Sequence, residues 1–211
     1  MFSRINSVGL VGLNAFPVFV EIESSKGLPS FDIVGQGDMV VRESRERIKS
    51  AFRTSEFKFP LASLMINLAP ADIKKMGSTY DFAIAVALLQ INQMISENAI
   101  DKTAFVGELS LNGEVRAVKG VLPMVIKAKE QGIKRIYVPF SNGREGSVVS
   151  GIEVVGVKTL REFVQFANGE ESPRTMGMYT PEATDYFGDL DFADVKGQES
   201  TKRALEISAC G

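Results

Sequence analysis

Residues 74–94 read KKMGSTYDFAIAVALLQINQM, and this stretch decides which folds the chain can adopt. From residue 80 onward the pattern is helical, and it is apolar on nearly every side for about three turns. A helix that is apolar all round normally packs between two layers of a domain. The sequence therefore predicts a buried central helix over 80–94. The chain enters this helix through a loop that carries lysines, a glycine and two hydroxyl residues.

The sequence on both sides of this helix predicts a mixed sheet. Strand-like patterns occupy 2–12, 14–26, 31–35, 62–70, 104–118, 133–139 and 151–157. Of these, 104–118 is interpreted as two strands joined at Asn112-Gly113, a pair suited to a tight turn. Amphipathic helices begin near 38, 120 and 159. Strands and helices alternate late in the chain, whereas hairpins dominate early. We therefore predict an α+β fold over residues 1–168.

The composition changes after residue 168. Residues 169–190 are rich in Gly, Pro, Ser, Thr and acidic residues and show no helical or strand periodicity, which predicts a linker. An apolar helical pattern begins again at about residue 198. We therefore interpret 191–211 as the beginning of a second domain.

The composition excludes several classes of chemistry. The sequence has no histidine and a single cysteine, Cys210, which excludes histidine-based triads and the usual zinc sites, so no metal site is expected. The formal net charge is −2, so only a local patch could attract nucleic acid. The longest uncharged apolar run, 82–91, is too short to span a bilayer, and no signal peptide is evident. We expect a cytoplasmic protein without a membrane partner.

The loop at 74–81 admits three interpretations. A nucleotide-binding P-loop requires its lysine after the glycine-rich turn, but Lys74 and Lys75 precede Gly77, so the order is wrong. The residues STYD match a capping box, in which Ser78 and Asp81 would bond reciprocally to backbone N–H groups at the start of the helix. In the third interpretation a hydroxyl acts as a nucleophile.

The nucleophile interpretation requires a lysine that serves as the base. Lys119 and Lys127 are the downstream candidates. Lys127 lies on a solvated helical face and Lys119 lies at a turn beside Gly120, and the sequence alone does not bring either one to Ser78 or Thr79. This interpretation therefore depends on the fold.

A basic stretch over 42–59 is a second candidate site. Its cations are Arg42, Arg45, Arg47, Lys49, Arg53 and Lys58, and phenylalanines lie between them. Such a mixture is typical of surfaces that bind nucleic acid, and it could equally form a contact between subunits. Glu43 and Glu46 alternate with the cations, however, which favours a solvated helix with ion pairs along its surface.

Long blocks of the chain resemble one known family. The blocks are GLPSFDIVG, RESRERIKSAF, INLAPADIKKMGSTYDFAIAVALL, FVGELSLNGEVRAVKGVLP and DFADVKGQESTKRALEISA. In this order they are similar to the magnesium-chelatase-like AAA+ family of the ComM/YifB type. One departure is VGQGD at 34–38, where that family usually has a leucine-proline pair before the aspartate, and it affects only the local turn.

The resemblance implies a fold and a function. The N-terminal region is similar to the proteolytic domain of Lon, a fold shared with a ribosomal small-subunit protein, and the segment from 191 is similar to the lead-in to an AAA+ module. That module would bind ATP and Mg²⁺ through a loop shortly after Gly211, so no cofactor and no ATPase activity are expected within this chain.

The intact protein would form a homo-oligomer, expected to be a hexamer, and act as a helicase on branched or single-stranded DNA in natural transformation. This chain would be its non-proteolytic accessory domain, aiding ring assembly or DNA engagement. The alternatives are a serine/threonine–lysine peptidase of the Lon type and a metal-chelatase-like motor subunit.

The Lon resemblance also tests the nucleophile interpretation. Lon-type peptidases carry their serine in a P-K-D-G-P-S-A-G loop, which places that serine on Thr79 and the preceding proline on Ser78. The catalytic lysine falls on Leu122 in a gapless alignment, with Lys119 as the nearest alternative. The resemblance therefore implies the fold without the catalytic dyad.

Overall fold

The structure, a computed structural model, describes residues 1–181 and 191–210. The chain divides into two compact units, Met1–Thr180 and Pro181–Gly211. The strands of the first unit are β1 Phe2–Val11, β2 Asn14–Ser25, β3 Ser30–Val34, β4 Ser63–Ala69, β5 Thr103–Phe105, β6 Glu108–Leu109, β7 Val115–Arg116, β8 Arg135–Pro139 and β9 Glu153–Val157. Its helices are α1 Met39–Thr54, α2 Asp81–Ile91, α3 Val121–Glu130, α4 Gly143–Gly146 and α5 Leu160–Ala167.

Seven strands form one mixed sheet in the order β3-β4-β2-β1-β5-β8-β9. The predicted hairpin is confirmed, since β1 and β2 pair antiparallel with Val11 opposite Asn14. The β2–β4 pair is also antiparallel, whereas the β3–β4, β1–β5, β5–β8 and β8–β9 pairs are parallel. The predicted α+β fold with a mixed sheet is therefore confirmed.

Helix α2 is the buried centre of the first unit. Every residue of α2 except Gln90 is buried, as its apolar pattern predicts. The helix packs on β1 and β2, and α1 packs beside it through Ile48 and Phe52. Helix α3 packs on β1 and β2 as well, in a second cluster that contains Val8, Met124 and Val125. The sheet therefore lies between two apolar layers.

One predicted hairpin is wrong in its extent. Residues 104–118 do not form two long strands, because β5 ends at Phe105 and only the short β6 and β7 pair around Asn112-Gly113. The chain leaves the sheet at Gly107, whose φ of 156° suits glycine. Gly107 donates its N–H to the Thr79 carbonyl at 2.9 Å and accepts from the Phe82 N–H at 3.1 Å. These bonds to the start of α2 replace further pairing in the sheet.

The first part of the predicted linker packs on the sheet edge. Residues 174–176 lie against β9, where the Gly156 N–H donates to the Arg174 carbonyl at 3.1 Å and the Met176 N–H donates to the Val154 carbonyl at 2.8 Å. Positions 182–190 of this linker lie outside the described residues. The domain boundaries proposed at 168 and 190 stay predictions.

The second unit contributes residues 191–210 to the description. Asp191 and Asp194 form a capping box around a short 3-10 turn, and α6, Glu199–Ala209, follows. This helix matches the apolar pattern that begins near residue 198. Within residues 1–181 and 191–210, no helix combines the length and the apolar character that crossing a membrane requires.

Candidate functional site: the entrance of helix α2

The loop before α2 is tied to the start of α1. Asp38 caps α1 by accepting from the Val41 N–H at 2.9 Å, and its second oxygen accepts from the Gly77 N–H at 3.1 Å. The Asp38 N–H donates to the Lys75 carbonyl at 3.0 Å, and the Lys75 N–H donates to the Gln36 carbonyl at 3.1 Å. The loop that would carry a nucleophile is therefore fixed along its backbone.

Lys75, the lysine shared with the Lon-type loop, points inward. Its side chain is fully buried, and its ammonium group donates to the Pro70 carbonyl. Burial lowers the pKa of Lys75, because desolvation disfavours the charged form. This ammonium closes the 70–75 turn instead of facing an open site.

Asp81 is the most strongly held polar group at this entrance. Its carboxylate is 1% exposed and accepts from Arg47 Nε at 2.6 Å and from Arg47 Nη2 at 3.0 Å. The Leu109 N–H donates to the same carboxylate at 3.3 Å. Burial raises the pKa of Asp81 to about 6, although the Arg47 guanidinium and the Leu109 N–H oppose this shift. The pair joins α1, α2 and β6.

The predicted capping box at Ser78 and Asp81 is wrong. The residue preceding α2 is Tyr80, which makes no side-chain cap, and the Asp81 N–H donates to the Ser78 backbone carbonyl at 3.1 Å. The reason is competition for the side chains, since the Asp81 carboxylate is taken by Arg47. The Ser78 hydroxyl donates to the Glu108 carboxylate. Charge-assisted bonds of this kind are stronger than a neutral cap.

The two hydroxyls of the loop therefore differ. The Ser78 hydroxyl donates to a carboxylate, that of Glu108, and not to a lysine amine. Thr79, which the Lon resemblance aligns with the peptidase serine, is half-buried, and its hydroxyl makes no hydrogen bond within the described residues. Among those residues, neither hydroxyl bonds to a lysine amine.

The entrance of α3 carries Leu122, which the Lon resemblance aligns with the catalytic lysine. The Leu122 N–H donates to Glu145 Oε1 at 3.0 Å. Asn142 pairs with the Val118 backbone in both directions, each at 3.0 Å, and donates to Glu145 Oε2 at 3.0 Å. Lys119, the alternative base, is exposed to solvent. The backbone at this entrance is therefore held by the side chains of Asn142 and Glu145.

Five clefts on the described residues, of 110 to 540 Å³, lie away from these positions, since none of the five is lined by Ser78, Thr79, Lys119 or Leu122. Within the same part of the chain, no group of three acidic or cysteine residues could hold a metal ion.

The basic stretch resolves into two sets of side chains. Arg42, Arg45, Lys49 and Arg53 lie at i, i+3, i+7 and i+11 of α1 and so share one helical face, which we call the α1 basic stripe. Arg47 points elsewhere and is engaged by Asp81. The pKa of Arg47 is raised mainly because its side chain donates to Asp81. Glu43, on the same side of α1 as Arg47, adds to this shift. Arg47 therefore does not share a surface with the other four predicted cations of α1.

Comparison with known protein families shows the family to which this chain belongs. A family model described as subunit ChlI of Mg-chelatase matches residues 20–142. The chain belongs to this ChlI family.

Relatives cover almost all of this ChlI-family chain. It is 39% identical over 208 residues to an uncharacterized protein of Mycobacterium tuberculosis. The alignment covers 99% of this chain and 41% of that protein. It is 34% identical over 204 residues to competence protein ComM of Haemophilus influenzae, over 95% of this chain and 40% of that protein. Identity to YifB of Escherichia coli is 35% over 212 residues, over 99% of this chain and 41% of that protein. The chain thus spans about two fifths of the length of these relatives.

A more distant match supports the predicted Lon likeness. Lon protease 2 of Bacillus subtilis is 32% identical over 125 residues, which cover 58% of this chain and 22% of that protease. Together with the mixed sheet and the buried helix α2, this match confirms the Lon-like fold of the ChlI-family chain. The predicted relationship to the ComM/YifB type is confirmed as well.

Proposed function

We propose that this chain is a Lon-like accessory domain without peptidase activity, serving as an assembly platform for an AAA+ ATPase. The observation that supports the proposal is that neither hydroxyl of the 74–81 loop bonds to a lysine amine among the described residues, while the Lon resemblance aligns Leu122 with the catalytic lysine. An aliphatic side chain cannot accept the proton of a nucleophilic hydroxyl. The chain keeps the scaffold of a peptidase without its base.

The contacts at the α2 entrance suit such a platform. Asp81 and Arg47 connect α1 to α2, Glu108 connects Ser78 to β6, and Asp38 connects the loop to α1. The groups that a peptidase would keep available for substrate here bond to one another. A rigid body of this kind is suited to positioning a neighbouring module or subunit.

The proposal extends to the whole protein. The relative from Haemophilus influenzae is named a competence protein. The match covers 95% of this chain and 40% of that relative. On that basis the intact protein is a ComM-type AAA+ ATPase, cytoplasmic and hexameric, which binds ATP and Mg²⁺ in its AAA+ module. Its proposed activity is helicase action on branched or single-stranded DNA during transformation.

Two assays test the proposal. Casein and a fluorogenic peptide are incubated with this 211-residue chain over a concentration series, beside Ser78→Ala and Thr79→Ala, and no cleavage above buffer is expected from any of them. Cleavage that either substitution abolishes would restore the peptidase interpretation. The full-length protein is then assayed for ATPase activity and for binding of four-way junctions. Absence of both, with a monomeric full-length protein, would overturn the motor assignment.

A further inference from the structure

The α1 basic stripe has the geometry of a contact for a phosphate backbone. Its four cations span about 16 Å along the helix, because eleven residues each rise about 1.5 Å. Arg42 and Arg53 are exposed and Arg45 and Lys49 are half-buried. Successive cations lie about one helical turn apart. The stripe is therefore a row of positive charge rather than a scattered set.

Acidic neighbours neutralise little of this row. Among the ion pairs of the described residues, the stripe contributes a single one, between Arg45 Nε and Glu46 at 3.5 Å. Arg45 Nε is buried and makes no hydrogen bond, so the 3.5 Å ion pair with Glu46 leaves this donor only partly satisfied. An anionic oxygen placed between Arg45 and Lys49 would give it a hydrogen-bond acceptor.

A small cleft opens directly beside the stripe. It measures 120 Å³ and is lined by Arg45, Lys49, Pro29, Ser30, Phe31, Phe59, Pro60, Leu61 and Ala62. Phe59 contributes an aromatic ring that lies 5.9 Å from the Lys49 ammonium. The volume is below the range of about 300–1,000 Å³ typical of drug-sized ligands, and it matches a single planar ring. Cations beside an aromatic wall are the elements of single-strand recognition.

We infer that the α1 basic stripe binds single-stranded nucleic acid, with phosphates along Arg42, Arg45, Lys49 and Arg53 and one base in the cleft against Phe59. A single strand fits better than a duplex, because stacked and paired bases cannot enter the cleft. The net charge of −2 does not oppose this binding, since the cations are concentrated on one helical face. The inference concerns this chain alone and is independent of any motor activity.

The test uses this chain and a fluorescein-labelled oligothymidine, with binding followed by anisotropy at several salt concentrations. Single-strand affinity falls with salt by about 0.7 in logarithmic slope for each cation that contacts a phosphate. Arg42→Gln/Arg53→Gln should therefore weaken binding and reduce the slope by about 1.4. The matched control is Lys129→Gln/Lys134→Gln, which removes two exposed cations outside the stripe and should leave both quantities unchanged.

The cleft is tested separately from the charges. Phe59→Leu should weaken binding about fivefold or more without altering the salt slope, because stacking does not release counterions. Because Phe59 also contacts Phe52, a second variant of the cleft is needed. Leu61→Ala changes an 89% exposed residue of the cleft, and Leu13→Ala changes an equally exposed residue outside it as the control. Duplex DNA of the same length should bind less tightly than the single strand.

Three results would overturn the inference. The first is no binding of the oligonucleotide at 50 mM salt up to about 100 μM protein, the weak end of the range for non-specific affinities. The second is equal weakening by the stripe variant and its control. The third is a change in sedimentation of the stripe variant with unchanged nucleic-acid binding, which would make the stripe a contact between copies of the chain.

Discussion

The entrances of α2 and α3, which the Lon resemblance aligns with the nucleophile and the base of a peptidase, are held by different chemistry. At α2 a buried ion pair, Asp81 with Arg47, fixes the helix start. At α3 an amide, Asn142, pairs with the Val118 backbone, and Glu145 accepts from the Leu122 N–H. Both arrangements fix a backbone that would otherwise be shaped around a substrate. They should respond differently to mutation and to pH.

The largest effect is expected from breaking the ion pair at α2. Arg47→Met leaves the Asp81 carboxylate buried without its cation, which should lower the free energy of unfolding by about 3–5 kcal/mol. Urea denaturation followed by circular dichroism measures this change. Arg161→Met, which removes an exposed pair with Glu56, is the control and should cost less than about 1 kcal/mol.

The double variant Arg47→Met/Asp81→Leu isolates the cause. It removes both charges, so much of the lost stability should return. If the double variant is as unstable as Arg47→Met, then packing of the Arg47 side chain, and not its charge, holds the α2 entrance.

The next effect is on the pH dependence of stability. Burial raises the pKa of Asp81 to about 6, above the value of 3.8 for a free aspartate, so the folded state binds the proton more tightly than the unfolded chain. The stabilisation is therefore fully present below the unfolded pKa and is lost as pH rises between the two values. The loss is about 3 kcal/mol for two pKa units.

Unfolding experiments between pH 4 and pH 7 measure this loss against Asp81→Asn, which cannot titrate. The Arg135–Glu153 pair provides the opposite sign, because Arg135 and Thr175 lower the pKa of Glu153. Its stabilisation is present at neutral pH and is lost as pH falls through the folded pKa. A wild-type curve parallel to that of Asp81→Asn would show that the Arg47 bonds outweigh burial.

Local patterns predicted the framework of this domain well. The β1–β2 hairpin, α1 and the buried α2 each follow from periodicity within one segment. The contacts at the α2 entrance could not be predicted in the same way, because STYD fits a cap equally well, and Arg47 lies 34 residues away in sequence. Short α4, which includes Glu145, has two glycines among its four residues and gives no helical signal.

The α1 basic stripe was readable from the sequence. Cations at 42, 45, 49 and 53 follow helical spacing. Of the alternating glutamates, Glu46 lies beside that face and pairs with Arg45, whereas Glu43 lies on another face. On the helix α1, Arg47 and Glu43 lie on a different face from the stripe, although they lie between its cations in the sequence.

A smaller effect is expected at the α3 entrance. Asn142→Ala removes both bonds to the Val118 backbone and the bond to Glu145, so it should cost about 1–3 kcal/mol. Asn92→Ala, which removes a single bond to the Lys58 carbonyl in a half-exposed position, serves as the control and should cost less. Because no buried charge is left unpaired, the Asn142→Ala cost should not vary with pH between 5 and 8. A cost no larger than that of Asn92→Ala would contradict the prediction.

The smallest effect is expected from restoring the missing lysine. Leu122→Lys places an amine at the α3 entrance, yet the combination Thr79→Ser/Leu122→Lys should still not cleave casein. Two features of the α2 entrance oppose activity: the adjacent Ser78 hydroxyl is bonded to Glu108, and none of the five clefts leads a substrate to Thr79. Cleavage by this double variant would mean that two residues separate the platform from a peptidase. Its absence, with unfolding unchanged, would show that the closed α2 entrance matters as much as the lost base.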